Sequence, residues 1–289
     1  MLFAPLFRKP NISGRRFMQF DNLVVDYFKE WGRGFSTQFF VSKQQFTPLL
    51  NLPAIAYFPV EKGRPLTTVE IALKLRFAYQ ESFLENNYTR RSLRTPYPVF
   101  EFQMIKGIPS ILQSAYRYTK TSLSVQGEIH APPLQTFHYR VFGGKIDGTV
   151  PFTFLENHAG NDFYMYNPEG YNLMNCFQYL SDRYAGAQVE HSIGAGLFRF
   201  VPITRRWKLR QFWNAKALWG SLSEANKRLN SAANYFTSLN NSTYLELGTG
   251  IDNILRLFRI DFVWRVLPQP LPAERGYRFG AFWSLHFQL

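Results

Sequence analysis

The chain has 289 residues, 46% of them hydrophobic and 18% aromatic, so it can bury a core and is not a disordered tail. Its single cysteine, Cys176, excludes an internal disulfide and a cysteine-built zinc cluster, and no run of about 18 apolar residues offers a transmembrane helix. The net charge of +13 is spread along the sequence, and its two dense clusters, "NYTRRSLR" (87–94) and "TRRWKLR" (204–210), read as loops or strand ends without a nucleic-acid motif, so nucleic acid is not an expected partner.

The opening "MLFAPLFRKPNISGRRF" is a poor export leader: its apolar stretch is short, its positive charges follow it, and no small-residue cleavage site appears. Beyond it, period-two alternation predicts strands over 17–31, 34–46, 69–79, 98–108, 122–131, 136–145, 184–193, 209–220, 243–251, 259–266 and 277–289, about ten to twelve in all. The clearest is "VEIALKLRFAY", which sets Val69, Ile71, Leu73, Leu75, Phe77 and Tyr79 against Glu70, Lys74 and Arg76. In "RIDFVWRV", Ile260, Phe262, Trp264 and Val266 oppose Arg259, Asp261 and Arg265. The last, "YRFGAFWSLHFQL", places Tyr277, Phe279, Ala281, Trp283, Leu285 and Phe287 on one face and puts Phe282 in the mostly polar row. Gly, Pro, Asn and Ser separate the strands, and only "LSEANKRLNSAANYF" (222–236) reads as loop with some helix. The absence of a βαβ rhythm argues against a parallel α/β fold.

Alternation fits both a soluble sandwich and a membrane barrel; in the barrel, the apolar row meets lipid and the charged row lines a polar lumen. Strand lengths near the roughly 9–11 residues that cross a bilayer favour the barrel. So do the aromatics at strand ends (Trp31, Tyr79, Trp219, Tyr277) and the aromatic terminal strand.

The stretch "GGKIDGTVPFTFLENHAGNDFYMYNPEGYNLMNCFQYLSDRYAGAQVEH" (143–191), with "TTVEIALKLRFAY", "WGSLSEAN", "YLELGTGIDNILRLFRIDFVWRV" and "FGAFWSLHFQL", resembles a Bacteroidota outer-membrane barrel family of unknown function. Its members usually carry a carboxypeptidase-regulatory-like domain ahead of the barrel, and the similarity runs from about residue 17 to the end. More distantly the block is similar to the C-terminal barrel half of the surface-antigen superfamily of barrel-assembly insertases and translocators. There a "VP…LGG…LRGF" loop folds back into the lumen, and its Arg is held by lumenal acids. Val150 and Pro151 match that pattern, and Gly160, Asn161 and Asp162 stand where the glycine pair belongs. Pro168-Glu169-Gly170-Tyr171 keeps Gly-Tyr but puts Glu169 where the Arg is expected.

The resemblance implies an all-β fold, an antiparallel transmembrane β-barrel that forms the C-terminal part of a longer parent and spans 1–289, with a long loop at 146–182 folded into the lumen. It implies loop and anchor residues at Asn161, Asp162, Glu169, Gly170, Tyr171, Asp182 and Arg183, and a lipid-facing last strand at Tyr277, Phe279, Trp283, Leu285 and Phe287. The expected partners are the lipid bilayer, lipopolysaccharide and other outer-membrane or periplasmic proteins, in the bacterial outer membrane. The expected role is non-catalytic, in protein assembly or translocation, with a passive pore as the alternative. Chemistry weighs less. Ser284 and His286 share one strand face as a hydrolase pair might, but they read better as a lumenal polar row. The five histidines lack metal spacing, and "GTGIDN" (248–253) lacks the Lys-Ser/Thr ending of a phosphate loop, so no cofactor is expected.

Overall fold

The computed structural model describes residues 16–58, 65–86, 90–130, 136–195, 198, 200, 207–231, 236–268 and 278–285. Eleven strands form one sheet: β1 (Phe17–Gly32), β2 (Phe35–Leu50), β3 (Leu66–Ala78), β6 (Val99–Gly107), β7 (Tyr118–His130), β8 (Thr136–Asp147), β11 (Arg183–Gly194), β12 (Arg210–Ser221), β13 (Thr243–Ile254), β14 (Phe258–Leu267) and β15 (Phe279–Leu285). Each pairs antiparallel with its neighbour in that order, and all eleven predicted strands are present. Two short hairpins stand apart, β4 (Ser82–Glu85) with β5 (Arg90–Arg94) and β9 (Glu156–Asn157) with β10 (Leu180–Ser181). The predicted helical stretch holds one short helix, α1 (Glu224–Asn230).

Alternation fixes which side chains share a face, and register carries it from strand to strand. Leu73, Met104, Leu123, Val141, Val189, Trp213, Leu247, Trp264 and Trp283 are exposed on the outer face. The inner face carries a continuous rung across six strands, in which Gln126 pairs with Arg140, Arg140 with Gln188, Gln188 with Lys216, Lys216 with Glu246, and Glu246 with Arg265. Such a row of charge, opposite an apolar face, is the arrangement of a transmembrane barrel wall rather than of a sandwich core.

The sheet ends at β1 and β15, which are not paired with each other among the described residues. Along an antiparallel sheet strand direction alternates, so the first and last of eleven strands run the same way. They cannot close on each other with antiparallel pairing.

The interior is filled by the segment between β8 and β11. Its root packs Val150, Phe152, Phe154 and Leu180 against the inward Phe46, Leu66, Tyr118 and Ile146 of the wall. Further along, Leu173 and Tyr166 pack on Val263 and Phe282. Phe282, predicted in the polar row, is therefore fully buried: the space it faces holds a folded loop rather than water. Of the residues expected to face lipid on the last strand, Trp283 and Leu285 are exposed and Phe279 is half-buried, while Tyr277 and Phe287 lie outside the described residues.

Candidate functional site

The loop from 148 to 182 is built as a stem with a folded tip. At the stem, β9 and β10 pair antiparallel, and buried His158 places its Nε2 2.9 Å from Ser181 Oγ. Burial pushes the His158 imidazole down to about 4, so it sits in the stem neutral. Above the stem, the Tyr171 N–H donates to the Ala159 carbonyl at 2.8 Å and the Asn161 N–H to that of Met174 at 2.8 Å.

Three asparagines hold the tip in shape. Asn161 Nδ2 donates to the Met165 carbonyl (2.7 Å) and to Asn172 Oδ1 (2.8 Å). Asn172 Oδ1 also accepts the Asn167 N–H at 2.8 Å, and its Nδ2 donates back to the Asn167 carbonyl at 2.9 Å. Asn167 Oδ1 accepts the Glu169 N–H at 3.0 Å. Asn is suited to this work because one amide both donates and accepts, satisfying main-chain groups that no strand partner reaches.

The wall grips the tip through the tip's main chain. Lys216 Nζ, on β12, donates to the carbonyls of Asn167 (2.9 Å), Pro168 (2.8 Å) and Gly170 (2.7 Å). Glu246, on β13, accepts the N–H of Asn172 at 2.9 Å through one oxygen and that of Leu173 at 2.6 Å through the other; Tyr244 also donates to it at 2.5 Å. A cation thus takes three main-chain carbonyls and an anion takes two main-chain N–H groups, on adjacent strands in direct register. Lys216, Glu246, Tyr244, Gly170, Asn172 and Leu173 are buried, Asn167 is half-buried and Pro168 exposed, so the bonds are charge-assisted and most of them are shielded from water. A second set of ions lies beside them: Arg259 bridges Asp261 (2.8 Å) and Glu190 (2.7 Å), and its guanidinium stands 5.0 Å from the Tyr166 ring.

The structure distributes the sequence-predicted residues as follows. Asn161 is a hub of the tip. Asp162 is buried and accepts the Cys176 N–H at 3.4 Å. Glu169, where the superfamily pattern expects Arg, has an exposed side chain; its backbone alone is used, and its carbonyl accepts from Gln188 at 3.2 Å. Gly170 exposes a carbonyl to Lys216 where a Cβ would come within 2.6 Å of Asn167 Nδ2. Tyr171 donates to the Ala217 carbonyl at 3.0 Å. Asp182 is buried at the root, where Oδ2 accepts the Ser223 N–H (2.8 Å) and Asn226 Nδ2 (3.0 Å), tying α1 to the loop's end. Arg183 opens β11 with its side chain exposed.

Lys216, Glu246, Asn167 and Asn172 were not singled out from the sequence. Lys216 and Glu246 carry one signal, a charge in the inward row of an alternating strand, as in "NAKA" and "LELG"; the two asparagines carry none. No group of three or more metal-ligating side chains occurs among the described residues. Ser284 is half-buried, and its proposed partner His286 lies outside the described residues.

Two solved structures share this architecture. BamA from Haemophilus ducreyi lacking POTRA domains 1-3 superposes with a TM-score of 0.57 at 11% identity, covering 94% of this chain and 55% of that one. CdiB from Escherichia coli gives 0.53 at 8% identity, covering 93% and 45%. The chain thus spans about half the length of each. No curated protein sequence matches it. Residues 36–251 match the family described as "Family of unknown function (DUF5686) C-terminal domain". That match covers most of the chain, which therefore belongs to this family and carries its C-terminal domain.

Proposed function

We propose that the protein is an outer-membrane barrel of the surface-antigen kind, resident in the bacterial outer membrane beside lipopolysaccharide, that assists insertion or translocation of other polypeptides without covalent chemistry. The work is β-augmentation, in which an exposed strand edge offers its main-chain groups to an incoming strand. The observation that carries this reading is the outer edge of β15, which already accepts the backbone of the chain's own loop. The Tyr166 N–H donates to the Trp283 carbonyl at 2.9 Å, and the Trp283 N–H donates to that of Tyr164 at 3.2 Å. The likeness to BamA and CdiB in fold supports the same reading. An edge in lipid is costly unless its groups find partners, so strand pairing is the use that this edge fits best.

A passive pore is the second reading. A cavity of about 410 Å³, lined by Arg76, Glu128, Arg140, Glu190, Asn214 and Lys216, remains beside the loop and favours it. Depletion in the cell separates the two. Loss of heat-modifiable, folded forms of other outer-membrane proteins, restored by the wild-type gene, supports the assembly reading. Normal assembly in depleted cells, with steady ion conductance of the purified protein in a planar bilayer, supports the pore.

A further inference from the structure

We propose that the lumenal cavity beside Arg140 is a binding site for an acidic saccharide, a sugar ring that carries a carboxylate. The inference is independent of the assembly reading and uses only side chains of the wall and the loop. The cavity, of about 320 Å³, lies between the inner faces of β6, β7, β8 and β11 and the loop. Small-ligand sites are typically about 300–1,000 Å³. Alternation and register build its floor. Gln103 pairs with Ser122, and Ser122 with Gly144. In the next inward row Glu101 pairs with Ser124, and Ser124 with Phe142. The row after that sets Gln126, Arg140 and Gln188 side by side. The short side chains of Ser122 and Ser124 leave the hollow.

Arg140 is held in place without using its donors. Its guanidinium stands 5.4 Å from the centre of the Phe142 ring, a cation–π seat that leaves the N–H edge unbonded. Its Nε is buried with no acceptor among the described residues. The carboxylates that line the cavity are placed elsewhere. Glu101 pairs with Lys74 at 3.3 Å and with Arg76 at 3.4 Å, Glu156 accepts the Tyr184 hydroxyl, and the Glu169 side chain is exposed. A planar, permanently charged fork in a partly enclosed site matches a carboxylate through two parallel bonds. The neutral lining suits hydroxyl groups, because Gln103, Ser122 and Ser124 can each donate and accept. Tyr184 lies over Gly144, where a Cβ would come within 2.5 Å of its hydroxyl, and it gives the cavity an aromatic wall for the C–H face of a sugar ring. An inorganic anion would use Arg140 and leave the hydroxyl row and the ring idle. A neutral sugar would leave the guanidinium without its oxyanion. An acidic saccharide uses all three.

The test is a titration of the full chain, folded in detergent, with D-glucuronate, D-glucose and acetate as probes, read by ligand-observed nuclear magnetic resonance. The proposal expects glucuronate to bind at least tenfold more tightly than glucose or acetate, since each of those carries only part of the match. Arg140→Gln should weaken glucuronate at least tenfold and leave glucose unchanged. Arg140→Lys keeps the charge but loses the fork, and should recover only part of that loss. Ser122→Ala combined with Ser124→Ala should weaken glucuronate and glucose and leave acetate unchanged. All of these variants should keep the heat-dependent gel shift of the wild-type protein, because the side chains altered lie in the cavity lining. No saturable binding of glucuronate to the wild-type protein overturns the site. Acetate binding as tight as that of glucuronate reduces the site to an anion patch and overturns the saccharide. Glucose binding as tight as that of glucuronate overturns the role of Arg140, as does undiminished glucuronate binding in Arg140→Gln.

Discussion

Strands β14 and β1 carry the same kind of sequence, yet they live in different surroundings. On β14 the inward Arg259, Asp261, Val263 and Arg265 are all buried, Asp261 at 0% exposure, because the tip of the loop lies against them. On β1 both faces stay open: Val24 is 42% exposed on one and Val25 72% on the other. Alternation makes a strand in both places, but only an interior partner turns an alternating strand into half of a packed interface. In this protein the loop is that partner: its tip lies along β11 to β15 and its root packs on β2, β3, β7 and β8, while β1 meets that root cluster only near Met18. The wall around the loop is a core with ions in it, and β1 is a strand whose side chains stay largely exposed.

Substitutions can break or sharpen this contrast. The largest effect is expected for Phe282→Ala, which empties a fully buried site between Tyr166, Leu173 and Val263 and should cost about 3–5 kcal/mol, read from the urea midpoint of unfolding in detergent micelles. Glu246→Gln sets an amide N–H against the N–H of Asn172 or Leu173 and removes the charge that three donors share. It should cost about 3 kcal/mol and open 160–175 to protease while the wall stays β-rich by circular dichroism. Lys216→Met takes the charged donor from the carbonyls of Asn167, Pro168 and Gly170, of which the first and last keep Asn172 Nδ2, for a loss of about 2 kcal/mol and the same protease signature.

Acid should act on the stem. A released His158 takes its proton near pH 6.5, whereas the docked one resists until about 4, so the released state binds more protons throughout that window. Docking should weaken as pH falls from about 6.5 to 4, by about 2 kcal/mol at pH 5. His158→Gln should flatten that slope in a proteolysis-versus-pH series. The smallest effect belongs to the other region: Phe28→Ala, at a site 55% exposed on β1, should stay under about 1 kcal/mol in the same unfolding assay. A cost for Phe28→Ala equal to that for Phe282→Ala would show that β1 has a packed inner partner.

The strands were legible because period-two alternation is local, and 69–79 and 259–266 state it without ambiguity. The likeness to a known family pointed to a long loop, and the structure places one between β8 and β11. The anchors were not, for a physical reason. The superfamily pattern puts a charged side chain on the loop, but here the charges sit on the wall and grip main-chain groups, which every sequence carries and none displays. Lys216 and Glu246 therefore looked like ordinary members of a polar row. Phe282 was misplaced for a related reason: facing inward means facing water only where nothing folds into the lumen. Asp182 pins α1 to the loop's end, a contact between positions 182 and 226 that no local pattern encodes.

The central claim is that the loop is seated in the wall by Glu246 and Lys216. Amide hydrogen exchange at Asn172 and Leu173, measured on the protein folded in lipid or detergent, tests it most directly. The account predicts that both amides exchange as slowly as those in the middle of β12 and β13, and that Glu246→Gln speeds them at least a hundredfold while leaving the strands protected. Free exchange of both amides in the wild-type protein would contradict it, because the loop would then not be held where the wall's charges need it.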